Sequence, residues 1–344
     1  MNSLPERYRE ILQLLISDYI TSAEPVGSRS LAKRHSGNLS PATIRNVMAD
    51  LTEMGLLEQP HTSAGRIPTE AAFQYYVESL LHIHDLSDVE KESIRQQCFQ
   101  KGGIEQFLHR TSGALSSMSR YIGLVVMPGW QEIELKQVEF LRLSRGRLLG
   151  IFVAQNGLVQ NQLIEVDEDF TFLDLEKINN FCNRTFSGLN LSEARQKISQ
   201  ELESERADYD HLLRQAFLFS EKLFASVPAK EVVIEGEEHL VEHPEFSELE
   251  ELKKLMAKLE EKQRILKLLD RCHEGEGVKI FVGSRAQEEG VPLSVISASY
   301  RKGGHVVGTL GVIGPTRMDY SRIVSVVDFT SKLVSDYLNG DVRS

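Results

Sequence analysis

The chain has 344 residues, of which 26% are charged and 41% hydrophobic, values typical of a globular protein with two or three domains. It contains no run of about 18 apolar residues, and its first residues do not resemble a secretory signal, which argues against a membrane or exported protein. The net charge of −11 excludes a protein that coats nucleic acid over its whole surface. We therefore expect a cytoplasmic protein with buried, reduced thiols at its three separated cysteines, Cys98, Cys182 and Cys272.

The first eighty residues predict a helical module that begins with a helix over about residues 4–20. Ser3 and Glu6 have the spacing of a capping box, and Pro5 would lie in the first turn, where its missing N–H costs nothing. A second, short helix is expected over about 28–35. Positive charge is concentrated in residues 25–49, which contain four Arg and Lys but no Asp or Glu. Charge alone does not distinguish a DNA-binding surface from a merely solvated one.

A third helix is predicted to begin at Ser40, because Ser at the N-cap followed by Pro at the first helical position is a favoured start. One face of this helix is aliphatic, and the outer face carries small residues around Asn46, with Thr43 and Arg45 on its flanks. Asn can bond adenine through two hydrogen bonds, Arg can do the same to guanine, and Thr offers a hydroxyl and a methyl group. This pattern predicts that Thr43, Arg45 and Asn46 contact bases in the major groove.

A small exposed hairpin is predicted after the third helix, which Gly55 should end. Its strands would be residues 56–61 and 66–68, joined by a Ser-Ala-Gly turn. Arg66, beside that glycine, is placed to contact a phosphate or the minor groove, and Thr69 would cap a further helix. The order of elements predicts a winged helix-turn-helix domain. The alternative is a helical bundle whose hairpin binds protein.

Five segments of this module form a recognisable series: EPVGSRSLA (24–32), SPATIRNVMADL (40–51), MGLL (54–57), HTSAGRIPT (61–69) and AAFQYYV (71–77). Together they closely resemble the bacterial heat-inducible transcription repressor family, HrcA. The resemblance is tight over the first eighty residues and extends to the remainder only through its architecture. One position departs from the family pattern: Thr52 stands in the C-terminal half of the third helix where an acidic residue is expected.

The resemblance implies a dimeric repressor of chaperone operons, bound to double-stranded DNA at a long inverted repeat upstream of them. It also implies that a GroEL-type chaperonin modulates activity, because the repressor needs the chaperonin to reach its active folded state. We expect repression by occlusion of the promoter, relieved when heat-unfolded proteins occupy the chaperonin. Carried over by position, the base contacts would come from Thr43, Arg45 and Asn46. The contacts to the DNA backbone, including that of the wing, would come from Ser28, Arg29, Lys33, Ser40 and Arg66.

After the N-terminal module the sequence predicts a linker at about 82–92, helices to 119 and a buried strand at 122–128. An antiparallel meander over 137–167 and helices over 173–225 follow. The last part is predicted to contain a strand at 231–236, a helix over 246–272, three strands and a terminal helix over about 320–338. The order of the outer strands resembles a GAF-type sensor domain that is interrupted by the meander and its helices. We therefore predict an α+β, multidomain fold. Its parts are a winged helix-turn-helix domain (1–85), a GAF-like antiparallel α/β domain in two pieces (86–130 and 231–344) and an inserted α+β dimerisation domain (131–230).

Some patterns in this region admit two interpretations. Leu252, Leu259 and Leu266 have the spacing of a zipper, but neighbouring leucines widen the apolar stripe, which favours packing on the sheet. His82 and His84 offer only two metal ligands, and no catalytic or nucleotide-binding motif is found, so we expect no metal, cofactor or enzymatic activity. The alternative function is a transcription factor that senses a small molecule in its GAF-like domain. An enzyme with a DNA-targeting arm is less favoured.

Overall fold

The computed structural model describes residues 4–35, 39–62, 64–128, 134–155, 157–202, 211–225, 231–246, 253, 256, 265, 266, 269, 277–283 and 293–341. Several predictions fall outside these residues, among them Ser3 and most of the helix over 246–272, including Leu252 and Leu259. In the part of the chain that is described, no helix is both long and apolar enough to cross a lipid bilayer.

The N-terminal module consists of α1 (Glu6–Ser22), α2 (Ser28–Arg34), α3 (Pro41–Glu53), β1 (Leu57–Glu58), β2 (Ile67–Pro68) and α4 (Glu70–Ser79). Each helix turns one apolar stripe inward, and side chains at most 2% exposed form the shared core, among them Ile11, Leu15, Leu31, Ile44, Val47 and Phe73. The start of α1 differs from the prediction. Pro5 is the N-cap, with no side-chain cap, because its extended backbone (ψ 147°) delays the helix to Glu6. The expected place of Pro5 inside the first turn is therefore wrong, and the capping box expected at Ser3 lies outside the described residues.

The remainder forms α5 (Asp88–Cys98), α6 (Ile104–Ser119), β3 (Ile122–Val126), β4 (Leu135–Ser144), β5 (Arg147–Ala154), β6 (Val159–Glu165), α7 (Phe172–Phe186), α8 (Leu191–Leu202), α9 (His211–Ala225), β7 (Val232–Glu235), β8 (Val278–Phe281), β9 (Leu293–Lys302), β10 (His305–Pro315) and α10 (Tyr320–Asn339), with 3-10 turns at Glu237–Glu242 and Pro244–Phe246. The predicted linker is too long. Ser87 and Glu90 form a complete capping box, so α5 begins at Asp88 and the connector ends at Ser87.

A five-stranded antiparallel sheet forms the centre of this larger part, in the strand order β7-β3-β10-β9-β8. Helices α6 and α10 pack on one face, where Tyr300 and Tyr320 are fully buried. The other face carries a second apolar cluster that includes Ile265 and Leu269, with Leu266 packed at its margin. These described residues of the predicted long helix thus pack on the sheet, as expected from their wide apolar stripe.

A second sheet lies in the stretch of chain between β3 and β7, which are themselves neighbours in the central sheet. It is the predicted meander, β4-β5-β6, and α7 and α9 pack on one of its faces. The side chains of Asn179 and Asn183 on α7 each donate to and accept from the backbone of β4, at Phe140 and Val138 respectively. The α+β class is confirmed, whereas the domain limits at 85, 130 and 230 stay predictions.

Candidate nucleic-acid interface

The N-terminus of α3 is held by Ser40, as its sequence predicts. The Ser40 hydroxyl accepts a hydrogen bond from the Thr43 backbone N–H at 3.1 Å, and its Oγ lies 2.9 Å from the Thr43 Oγ1. Pro41 occupies the first helical position, where a missing N–H costs nothing. Ser40 therefore stabilises the first turn and orients the Thr43 side chain on the flank of the helix.

The outer face of α3 is open to solvent where base contacts are predicted. Arg45 and Asn46 are exposed and Thr43 is half-buried, while Ala42 and Ala49 beside them are exposed and small. The opposite face is buried, with exposed fractions of at most 4% at Ile44, Val47, Met48 and Leu51. Because small side chains flank the amide and the guanidinium, the helix axis can approach the floor of a groove closely.

Helix α3 is braced against α1 by a polar contact at its far end. The Tyr8 hydroxyl donates to Asp50 Oδ2 at 2.6 Å, and this hydrogen bond to a carboxylate raises the pKa of Tyr8 above its ordinary value. The hydroxyl consequently stays protonated at neutral pH and keeps its role as donor. The brace limits the rocking of α3 on the module, which a fixed arrangement of base contacts requires.

The basic residues of α2 and α3 divide into two groups. Arg34 forms an ion pair with the nearly buried Asp18 of α1, so its charge is used in a contact within the module. Arg29, Lys33 and Arg45 are exposed and have no ion pair among the described residues. These three cations are therefore the ones that α2 and α3 can offer to DNA.

The base of the wing is tied to the loop before α2. The backbone N–H groups of Val26 and Arg66 each donate to the carbonyl of the other at 2.9 Å. Gly65 lies so close to this loop that an added Cβ would come within 2.5 Å of the Val26 carbonyl carbon. Only glycine allows this approach, so the position of the wing depends on Gly65.

The tip of the wing is closed by a side chain that directly follows its first strand. Gln59 Nε2 donates to the carbonyls of Thr62 and Ala64, at 2.9 and 3.0 Å. The two strands of the hairpin pair over only two residues each. The Gln59 amide therefore supplies hydrogen bonds that backbone pairing does not provide beyond them. The wing is thus a shaped loop held at its base and at its tip.

Arg66 joins the wing to α3. Its Nε donates to the Thr52 hydroxyl at 3.1 Å, and that hydroxyl donates in turn to the Met48 carbonyl at 2.8 Å. The Arg66 side chain is therefore not simply extended into solvent toward a phosphate. One nitrogen of the guanidinium fixes the wing, and Nη1 and Nη2 have no hydrogen bond within the described residues.

Between α2, α3 and the wing lies a concave cleft of about 450 Å³. It is lined by Gly27, Ser28, Arg29, Arg45, Met48, Gln59, Thr62, Ala64, Gly65 and Arg66. Three arginines, one from each element, thus line one hollow. Guanidinium donors in this number suit phosphate oxygens, which they bind through charge-assisted hydrogen bonds.

Comparison with known proteins agrees with this geometry. Residues 3–80 match the family described as "Winged helix-turn-helix transcription repressor, HrcA DNA-binding", and residues 105–324 match "HrcA protein C terminal domain". The chain belongs to the HrcA family. The predicted resemblance is thereby confirmed, and it extends from the N-terminal module to most of the remaining chain.

Individual relatives cover the whole length. The chain is 45% identical to the heat-inducible transcription repressor HrcA of Geobacter sulfurreducens, over 99% of this chain and 100% of that protein. It is 38% identical to the protein of the same name from Syntrophobacter fumaroxidans, over 98% of each. A solved structure described as a hypothetical protein at 2.2 Å resolution shares the fold, with a TM-score of 0.67, 23% identity and coverage of 99% of this chain and 100% of that one.

The winged-helix region contains every predicted DNA-contacting residue, but the structure gives them unequal access. Arg29, Lys33, Ser40, Arg45 and Asn46 are exposed, whereas Ser28 is only 9% exposed and lies in the lining of the cleft. The sequence pattern assigned no role in the DNA-binding surface to Thr52, Gln59, Thr62 and Gly65. Gly65 has a local signal, its place in the turn, but the others acquire their roles through neighbours that only the fold supplies.

Proposed function

We propose that this protein is a negative regulator of heat-shock transcription that binds operator DNA through its winged helix-turn-helix domain. The observation that carries the proposal is the exposed face of α3, with Arg45 and Asn46 outward, next to a cleft lined by three arginines. The relatives named as heat-inducible repressors support the regulatory role. A protein of this kind acts as a DNA-binding regulator, not an enzyme, in the bacterial cytoplasm where its operators are.

In this proposal Thr43, Arg45 and Asn46 contact base edges in the major groove. The phosphates are bound by Arg29, Lys33 and the Nη groups of Arg66, with Ser28 and Ser40 near the backbone. The division follows from position. The three base-contacting side chains lie in the N-terminal half of α3, whereas Arg29 and Arg66 line the cleft beside it and Lys33 is exposed on α2. Contacts to bases give sequence discrimination, whereas contacts to phosphates give affinity that falls with salt.

The test compares Asn46→Ala with Lys33→Ala on a panel of operator fragments that carry single base-pair changes. Asn46→Ala should cost about 1–3 kcal/mol and abolish discrimination at one base pair of each half-site. Lys33→Ala should weaken binding to all fragments alike and reduce the salt slope by about 1. Lys302→Ala, at an exposed site on the far end of β9, is the matched control and should change neither. A uniform loss for both variants would contradict the assigned roles.

We also propose that the protein acts as a homodimer through the outer face of the inserted sheet β4-β5-β6. On this face Leu141, Leu149 and Leu163 are direct cross-strand partners, and Val153 pairs with Val159. Leu141, Leu163 and Val159 are 40–50% exposed, so the sheet presents apolar side chains to solvent on this face. Apolar patches of this kind mark protein interfaces, and a second copy would match the two-fold symmetry of an inverted repeat.

The dimer is tested by sedimentation equilibrium of the full chain with Leu163→Glu. The charged side chain should shift the protein to monomer and reduce its affinity for the full operator, because one half-site then binds alone. Val241→Glu is the control, since Val241 is 63% exposed and belongs to a 3-10 turn outside the patch. A Leu163→Glu protein that sediments as the wild type does would contradict this interface.

Dependence on a GroEL-type chaperonin is supported by the topology of the central sheet. Strand β3 pairs with β7 through Val126 and Val232, which closes a loop of about 100 residues. Its other neighbour, β10, is more distant still in sequence. Non-local pairing of this kind slows folding and leaves apolar strand edges exposed in intermediates, the form of protein that a chaperonin captures.

The chaperonin proposal is tested by refolding the protein with and without purified chaperonin and ATP, then titrating active sites with operator DNA. The active fraction should rise with chaperonin and fall again when a second, denatured protein is added as competitor. The native form of that competitor should have no effect. An active fraction that is indifferent to chaperonin would contradict the proposal and leave DNA binding itself untouched.

A second candidate function, response to a small molecule, is favoured by three buried hydroxyls on the central sheet. Ser297 and Thr309 are fully buried, Ser299 pairs with Thr309, and none of the three hydroxyls has a hydrogen-bond partner in the described structure. A buried hydroxyl without a partner costs about 1–3 kcal/mol, which a polar ligand could recover. Lys279, the strand partner of Ser297, adds a cation at the edge. A thermal-shift screen of small carboxylic acids and amides tests this, and a uniform melting temperature would contradict it.

A further inference from the structure

One buried guanidinium contacts both the DNA-binding module and the rest of the protein. Arg317 lies in the turn between β10 and α10 and is only 9% exposed. Its Nη1 donates to the Ile20 carbonyl of α1 at 2.6 Å, and its Nε and Nη2 lie 2.5 and 3.3 Å from the two carboxylate oxygens of Glu245. One side chain therefore connects α1, the 3-10 turn Pro244–Phe246 and the end of the central sheet.

The contact with Ile20 completes the end of a helix. Ile20 is in the last turn of α1, where backbone carbonyls lack partners within the helix, and α1 has no basic residue of its own in that turn. Arg317 supplies both the donor and the positive charge that this end of a helix favours. The C-terminus of α1 is thus capped by a residue from the other part of the molecule.

The carboxylate partner keeps the guanidinium in place. Burial alone would raise the pKa of Glu245, but the hydrogen bonds and charge of Arg317 outweigh it and hold that pKa below the ordinary value. The Arg317 backbone is also held, because the Tyr121 hydroxyl donates to its carbonyl at 3.4 Å. Glu245 therefore holds the Arg317 guanidinium and Tyr121 holds its backbone, independently of the contact with α1.

Further contacts surround this joint without replacing it. The ring of Phe73 on α4 lies 6.4 Å from that of Tyr19 and 6.2 Å from that of Tyr320 on α10. The connector is attached to α10 as well, since Ser321 and Ser325 donate through their hydroxyls to the carbonyls of His82 and His84. The first group is apolar and weakly directional, and the second bonds only backbone. Directional contact with α1 itself comes from Arg317.

We propose that Arg317 is a positioning residue for operator recognition: it fixes the orientation of the winged-helix module on the rest of the chain and thereby sets the half-site spacing. In a dimer the two α3 helices are separated by a distance and an angle that this joint determines. Each added base pair between half-sites moves them apart and rotates one relative to the other, so a rigid joint accepts a narrow range of spacings. The inference rests on the proposed DNA binding and dimerisation.

The test measures affinity for a series of inverted repeats whose central spacer grows one base pair at a time, with a single half-site as reference. The wild-type protein should show a sharp optimum, on the order of 100-fold tighter than the poorest spacer. Arg317→Met should keep its single half-site affinity and show a flat profile, with a best-to-worst ratio of about tenfold or less. Arg317→Lys keeps the positive charge but lacks the planar set of N–H donors of a guanidinium, and it should give an intermediate dependence of affinity on spacer length.

The outcomes separate the inference from the proposals on which it depends. A sharp optimum for the wild type that persists unchanged in Arg317→Met overturns the positioning role. A wild-type profile without any optimum contradicts the dimeric arrangement and the inference with it, whereas loss of half-site binding by Asn46→Ala tests the DNA interface alone.

A loss of folding is recognised by controls. Arg322→Met removes a more exposed ion pair between α10 and Glu90 and should leave the spacer profile intact. Glu245→Gln keeps the size of the partner and should flatten the profile in part. A variant that unfolds would lower the active fraction equally for every spacer, so the shape of the profile still decides the matter.

Discussion

Replacement of Thr52 most directly tests whether the contact between the wing and α3 is needed for operator binding. Its hydroxyl is the acceptor for Arg66 Nε and lies in the C-terminal half of α3, outside the predicted set of DNA contacts. Thr52→Val preserves the shape and the β-branch and removes only the hydroxyl. The variant therefore removes the side-chain hydrogen bond between the wing and α3 while every predicted contact to DNA remains available.

The size of the effect follows from the bond that is lost. A hydrogen bond from a charged donor contributes about 1.5–3 kcal/mol when buried, and about 1 kcal/mol is reasonable for a pair that is half exposed. If that free energy keeps the wing in its DNA-binding position, its loss lowers operator affinity by about fivefold. The stability of α3 should change little, because valine and threonine have similar helix propensities.

The assay is fluorescence anisotropy with labelled operator, accompanied by thermal unfolding. Thr52→Ser keeps the hydroxyl and should bind within about twofold of the wild type. Thr52→Asp supplies a carboxylate as acceptor, which is the type of residue expected at this position in the family, and should also retain the wing. A Thr52→Val protein with wild-type affinity and an unchanged melting temperature would refute the reasoning, since the wing would then be held without this bond.

Three further expectations concern other parts of the molecule. Gly65→Ala should cost about 1–3 kcal/mol in operator binding through collision with the neighbouring backbone, whereas Gly113→Ala, which lies in α6 away from the cleft and meets nothing within 4 Å, should be nearly neutral in the same anisotropy assay. Ser40→Ala should destabilise the module by about 1 kcal/mol in thermal unfolding, because the Thr43 N–H loses its acceptor, and Ser40→Asp should restore it. The pKa of Glu245 is depressed in the folded protein, so its contribution is complete above about pH 4.3, the ordinary glutamate value, and is lost as pH falls through the folded value. The melting-temperature difference between wild type and Glu245→Gln should accordingly be constant near neutrality and shrink in acid; a difference independent of pH would disprove the linkage.

Elements with strong local signals could be predicted from the sequence. Helix α3 has a capping residue, a proline at its first position and an aliphatic stripe of helical period, and it begins where these signals place it. The meander β4-β5-β6 follows from alternation and turn residues, which act over a few neighbours. The errors at Pro5 and in the connector are also local: Pro5 lies one residue before the helix, and the polar first turn of α5 was included in the predicted linker.

Contacts between distant parts of the chain could not be predicted in this way. Arg317 is separated from Ile20 by almost the whole sequence, and neither residue is unusual in its own surroundings. Likewise, Thr52 carries no sign that it will accept from Arg66 until the hairpin has folded back on α3. Sequence patterns identify which face of an element is apolar, but they do not specify which polar group will meet it from another element.

The inserted sheet and its helices leave the central sheet at β3 and return at β7, two strands that lie side by side. The inserted unit is attached to the central sheet through two neighbouring strands. It can therefore be exchanged as a whole, as a cassette, since its replacement alters no other strand pairing of the central sheet. With the dimer interface proposed on its outer face, such an exchange between relatives would change which copies associate while the operator sequence stays the same. Organisms with two such regulators could keep them from mixing by divergence in this cassette alone.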